Sequence, residues 1–235
     1  MANQNVFVRR FASANELARE VAADVLAQLA QGSASRGQAS LLLSGGRSPV
    51  GLFERLRAVE LDWRGVWVAL ADERWVDTSD TASNEHLVRT QLLKGEAAAA
   101  RFVGLKNEAS SPELGAARAW QALSRVPRPF DITILGMGDD GHTASLFPGS
   151  PNLRSALDES AADGCVGTCS PTLPHARLSL NLSALLDSRR IVLLMLGESK
   201  LRTYVAACRP GPVEEMPVRA VLRQQRIPVE VAWAP

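Results

Sequence analysis

Short apolar runs separated by amphipathic helical stretches leave this chain few folds to choose from. The runs Ala39–Leu43, Gly65–Leu70, Ile132–Leu135 and Arg190–Leu196 are rich in Leu, Val and Ile, and Val6–Val8 and Val229–Trp233 read the same way. Arg101–Leu105 and Cys165–Thr168 are weaker strand candidates, and Arg177–Leu182 alternates as a half-buried strand does. Continuous apolar runs of this length suit strands covered on both faces. Helical signals fall between them. Ser13-Ala-Asn-Glu16 is a capping box ahead of Leu17, Val21, Val25 and Leu29, which recur every four residues. Ser83 opens a helix through Leu93, and Ser111-Pro112-Glu113 opens one through Leu123. Short helices follow at Ser183–Leu186, after Gly197 and from Pro217. Gln31–Gly37 reads as a loop. Strands alternating with helices predict a Rossmann-like α/β fold, a mostly parallel sheet with helices on both faces. No linker or composition shift divides it, so residues 1–235 read as a single domain.

Crossovers between parallel strands are right-handed, so the strand C-terminal ends share one edge of the sheet. Four strand ends carry chemistry. Ser44-Gly45-Gly46-Arg47-Ser48-Pro49 places two glycines before a helix, with Ser48 as its cap and Pro49 as its first residue. Exposed amides there suit an anion such as a phosphate; a plain tight turn is the other reading. Asp72-Glu73-Arg74 puts charges directly after a buried strand, which is costly unless they are paired or working. Gly136-Met-Gly138-Asp-Asp-Gly141-His142 lets the backbone turn sharply and brings an imidazole to the lip of the sheet. Gly197-Glu-Ser-Lys200 sets a lysine near a helix start. Separately these are turns, strand-end ion pairs and a solvated lysine. Together they predict one site. His142 and Asp72 are its catalytic candidates, and Ser44, Gly45, Gly46, Arg47, Arg74, Gly138 and Lys200 its binding candidates.

Other readings are excluded. Gly136-x-Gly138-x-x-Gly141 has the dinucleotide spacing, but Asp139 and Asp140 repel a pyrophosphate and Pro148 stops a long helix. No basic stripe points to nucleic acid, the formal net charge is +1, and no run is long enough for a membrane span. Met1–Val6 lacks the pattern of a signal peptide. Cys165, Cys169 and Cys208 form no disulfide framework and no metal-ligand set, so a cytoplasmic protein without a metal is expected. His86 and His175 read as surface or structural residues.

These motifs resemble the 6-phosphogluconolactonase family, within the glucosamine-6-phosphate deaminase-like superfamily. The resemblance covers nearly the whole chain. It rests on Leu43–Gly46, on Ala71–Trp75 with Ser83-Asn84, on Gly136–Pro148, on Arg177–Leu182 and on Gly197–Lys200. The ending Thr143-Ala-Ser-Leu-Phe-Pro148 matches the lactonases rather than the deaminases. The resemblance implies hydrolysis of 6-phospho-D-glucono-1,5-lactone, the second step of the oxidative pentose phosphate pathway, with no cofactor. It implies a small-molecule substrate and neither nucleic-acid nor membrane partners. A monomer or small homo-oligomer is expected. His142 is expected to activate water while the Ser44–Gly46 amides, Arg74 and Lys200 hold the phosphate. Asp72 orients His142 or a sugar hydroxyl, and glycine amides of the 136–141 loop are the candidate oxyanion donors. An aminosugar-phosphate deaminase and a sugar-phosphate sensor are the alternatives.

Overall fold

The chain begins β1 (Val6–Arg10), α1 (Ala14–Arg36), β2 (Ala39–Leu43), α2 (Val50–Leu56), β3 (Val66–Leu70), β4 (Asp72–Arg74), α3 (Asn84–Gln91), β5 (Arg101–Val103) and α4 (Pro112–Leu123). It continues β6 (Ile132–Leu135), α5 (Leu153–Ala156), β7 (Cys165–Thr168), β8 (Arg177–Leu180), α6 (Leu182–Leu186), β9 (Ile191–Leu196), α7 (Glu198–Ala207), α8 (Val218–Arg223) and β10 (Val229–Ala234). This is a computed structural model that describes residues 5–235. Met1–Gln4, part of the stretch read as lacking a signal sequence, lie outside the described residues.

Seven strands form one sheet in the order β1-β10-β9-β6-β2-β3-β5. Every pairing in it is parallel. The apolar runs of β2, β3, β6 and β9 lie at its centre and are almost wholly buried. From β1 through β5 the chain steps in one direction across the sheet, and from β6 onward it steps back. With right-handed crossovers, α1–α3 cover one face and α4 and α6–α8 the other. The reversal falls between the neighbours β2 and β6, whose following loops leave toward opposite faces. A crevice opens at such a switch point.

A second sheet stands over that edge. In it β4, β8 and β7 pair antiparallel, with Asp72 opposite Ser179 and Arg74 opposite Arg177. Two expectations change here. Asp72–Arg74 is a strand rather than a loop. β8 is buried along its whole length rather than on one face. Its Ser179 is accommodated by accepting from the Ser145 amide and donating to Leu180 O, so polarity did not signal exposure.

The helix starts follow their caps at α1, α3 and α4: Ser13, Ser83 and Ser111 accept from Glu16, His86 and Leu114 amides. Glu16 reaches back to the Ala12 amide at 2.7 Å. At α2 the expectation fails, because Pro49 occupies the cap position and no side chain caps it. Gln31–Arg36 also differs, being helical to Arg36 and closed by left-handed Gly37 at φ 73°. A tertiary contact accounts for the extra turns. Buried Asp131 pairs with Arg36 and accepts from the Ser40 amide at 2.9 Å. Gly32 faces it, and a Cβ there would lie 2.8 Å from Asp131 Oδ2. Gly32→Ala should therefore lower the melting temperature. Helix propensity alone favours Ala by about 1 kcal/mol, but forcing a buried carboxylate aside costs roughly 1–3 kcal/mol. Thermal denaturation of the variant checks the sign.

Candidate active site

At the switch point the four strand ends meet around a cavity of about 250 Å³. Ser44–Pro49, Asp72, Arg74, Gly138, His142 and Lys200 all line it. Every site residue expected from the sequence is thus brought to one place. Asn84, Ala144 and Arg177 line it as well.

The glycine loop after β2 is shaped by what touches it. Gly46 sits at φ 98°, in the left-handed region that favours glycine. A Cβ on Gly45 would fall 1.8 Å from Asn84 Oδ1, so only glycine fits there. Asn84 is fixed by its Nδ2 donating to Asp72 O at 2.8 Å and by its amide donating to Glu73. Buried Glu73 also accepts from the Arg74 and Glu85 amides and from Ser83 Oγ. One carboxylate therefore ties β4 to the start of α3. The Ser44 amide donates to Ile134 O at 2.9 Å, joining β2 to β6. That amide is not free for an anion, which leaves the unpartnered Ser44 hydroxyl and the loop from Gly45 onward as the donor set.

His142 is oriented by Asp140. Its Nδ1 lies 2.6 Å from Asp140 Oδ1, which also accepts from the His142 amide at 3.0 Å. An ionised carboxylate only accepts, so Nδ1 carries the hydrogen, and in the neutral ring the lone pair is on Nε2. The ring packs on Phe147 with centroids 4.4 Å apart. Gly138 lies beneath it, and a Cβ there would come within 2.1 Å of Nδ1. Gly138 therefore serves by making room. Its amide donates to His142 O, and the Gly141 amide donates to Gly138 O. Neither is an oxyanion donor, which corrects that expectation for both. Asp72 is bound instead by Ser145 Oγ at 2.6 Å. The partner of His142 is Asp140, which in the sequence stands out only as charge hostile to a pyrophosphate. The Asp-x-His spacing was the signal available for it.

The cations divide into two groups. Lys200 pairs with Asp139 at 3.0 Å, and Ser199 Oγ donates to the same oxygen. Arg74 donates to Ala82 O, and Arg177 lies opposite it, largely buried. Arg177 escaped sequence reading because it looked like one exposed position of an alternating strand. Burial, and then the charge of Arg74, push its guanidinium below the usual range.

This arrangement of sheet and cavity belongs to the α/β enzymes that act on phosphorylated sugars. Residues 12–233 match the model of the glucosamine-6-phosphate isomerases/6-phosphogluconolactonase family, and the chain belongs to that family. Within it the similarity is to lactonases. A 6-phosphogluconolactonase of Pseudomonas putida is 46% identical, covering 98% of this chain and 93% of the relative. One from Pseudomonas aeruginosa is 47% identical over 95% and 92%. The crystal structure of a 6-phosphogluconolactonase from Shewanella baltica superposes with a TM-score of 0.96 at 44% identity, covering both chains fully.

The loop acids give a pH prediction. Asp139 is held below the ordinary carboxylate range, chiefly by Lys200. Asp140 is pushed up by burial but brought below that range by its bonds from His142. Groups with a depressed folded pKa stabilise above their unfolded value, about 3.9, and lose that contribution as pH falls through the folded value. Stability should drop below about pH 4. The Asp139→Asn, Asp140→Asn double variant should lose less over that window in melts at stepped pH.

Proposed function

We propose that this cavity hydrolyses 6-phospho-D-glucono-1,5-lactone to 6-phospho-D-gluconate. The observation that carries the reading is the Asp140–His142 pair at 2.6 Å, set on the wall of a cavity that also bears Lys200 and the Gly45–Gly46 loop. A lactone is an activated ester, so a positioned water attacks C1 without a covalent enzyme intermediate. Nε2 of His142 takes a proton from that water as the new C1–O bond forms. The bond from C1 to the ring oxygen then breaks, and the ring oxygen receives the proton from the imidazolium. The acid formed at C1 releases its own proton, so lactone and water give a carboxylate and one proton. Asp140 keeps the imidazole in the required tautomer and stabilises its cation.

The phosphate lies against the loop beyond Ser44 and against Lys200, which exchanges Asp139 for the ligand. Its binding fixes the ring relative to His142, and orientation supplies much of the rate. Asp72, already held by Ser145, takes a sugar hydroxyl. The protein works in the cytoplasm as a monomer or small homo-oligomer on this small substrate alone.

A coupled assay tests the reading. The lactone is made in place from glucose 6-phosphate, and its decay is compared with the spontaneous rate. Catalytic amounts of protein should accelerate it, and glucosamine 6-phosphate should yield no ammonia. Decay at the spontaneous rate would refute the proposal. In the same assay His142→Ala should lose about 10²–10⁴-fold in kcat, with KM within a few-fold of wild type. Lys200→Ala should chiefly raise KM, by about tenfold or more, because a charge-assisted bond far from C1 is lost.

A further inference from the structure

Three guanidinium groups line this cavity without an ion pair among the described residues: Arg47, which is exposed, and Arg74 and Arg177, which are not. Arg74 and Arg177 lie directly opposite each other on β4 and β8 and both line the cavity. Arg177 is only 7% exposed. Among the described residues neither forms an ion pair, and the Nε of each is buried without a partner. The Asp72 and Glu73 carboxylates act on Arg177 through space without pairing with it, and a buried cation facing a second cation is costly. The other buried arginine, Arg219, has Glu215 as an ion-pair partner.

Position narrows the ligand. Lys200 follows β9, whereas Arg74 follows β3 and Arg177 pairs opposite it; β9 and β3 are three strand spacings, roughly 14 Å, apart in the main sheet. The arginine pair is instead close to the base. Phe147 carries the His142 ring on one side at 4.4 Å and the Arg177 Cζ at 5.4 Å from its centroid. The base must face C1, so the pair stands at the C1 end of the substrate.

We propose that Arg177, with Arg74, forms a second anion subsite that receives the carboxylate generated at C1. This rests on the lactonase reading above. The lactone carries no charge at C1, so the subsite gains its partner only as water adds and the ring opens. An interaction that grows along the reaction favours the transition state over the substrate. The guanidinium fork matches a carboxylate in two parallel bonds. The site is thus selective for sugar acids bearing a phosphate at the far end.

Calorimetric titration with two ligands tests this. 6-Phosphogluconate carries both anions; glucitol 6-phosphate carries the phosphate alone. Wild type should bind the first about 10–100-fold more tightly, as charged hydrogen bonds do. Arg177→Met should reduce that ratio to near one while leaving glucitol 6-phosphate affinity within about threefold. Arg177→Lys should recover part of the ratio. Thermal melting of each variant reports folding, and removing one of two facing cations should not lower it. Equal weakening of both ligands would place the phosphate on Arg177 and overturn the proposal. An unchanged ratio in Arg177→Met, or equal binding of both ligands by wild type, would overturn it too. Wild-type lactone turnover, measured beside the titrations, tests the lactonase reading separately.

Discussion

The structure depends on the divergence of two neighbouring strands. β2 and β6 pair in parallel, yet their following segments leave toward opposite faces of the sheet. Backbone cannot fill the gap left between them. The bond from the Ser44 amide to Ile134 O closes its floor at 2.9 Å. Everything placed at the rim inherits that position from strand order. The glycine loop and the His142 loop follow the central strands β2 and β6, Lys200 follows β9 on one side, and Arg74 follows β3 on the other.

Small residues at this crevice are required by close approach more than by flexibility. Gly45 yields to the Asn84 carboxamide and Gly138 to the His142 imidazole. Each lets a polar side chain sit where a Cβ would stand. The second sheet adds rigidity from above, since Glu73 holds the start of α3 and Ser145 holds Asp72. Orientation of a reacting group is worth more when its supports are fixed, and these supports are mostly backbone amides and buried hydroxyls.

The sheet was legible because its strands are buried on both faces and contain little but apolar residues. β2 and β6 fall where the runs Ala39–Leu43 and Ile132–Leu135 put them, and α4 opens where Ser111-Pro112 says. What stayed hidden depended on partners far along the chain. The last turns of α1 are held by Asp131, which lies 95 residues from Arg36. β4 is a strand only through its pairing with β8, and β8, legible as a strand, is buried on both faces instead of one. Arg177 reads as a surface position until Phe147 and Arg74 surround it. Among the site residues, convergence followed from handedness alone, whereas hydrogen-bond partners did not. Asp140 rather than Asp72 orients the imidazole, and the Gly138 and Gly141 amides bond within their own loop.

On the proposed function, one crevice between β2 and β6 holds the whole substrate with its reacting carbon at His142. A crystal structure with 6-phosphogluconate bound tests it most directly. The phosphate should lie at the Gly45–Gly46 loop beside Lys200, with C1 within hydrogen-bond reach of His142 Nε2 or of a water on it. A ligand seated away from this crevice, or one whose C1 end points away from the imidazole, would contradict it.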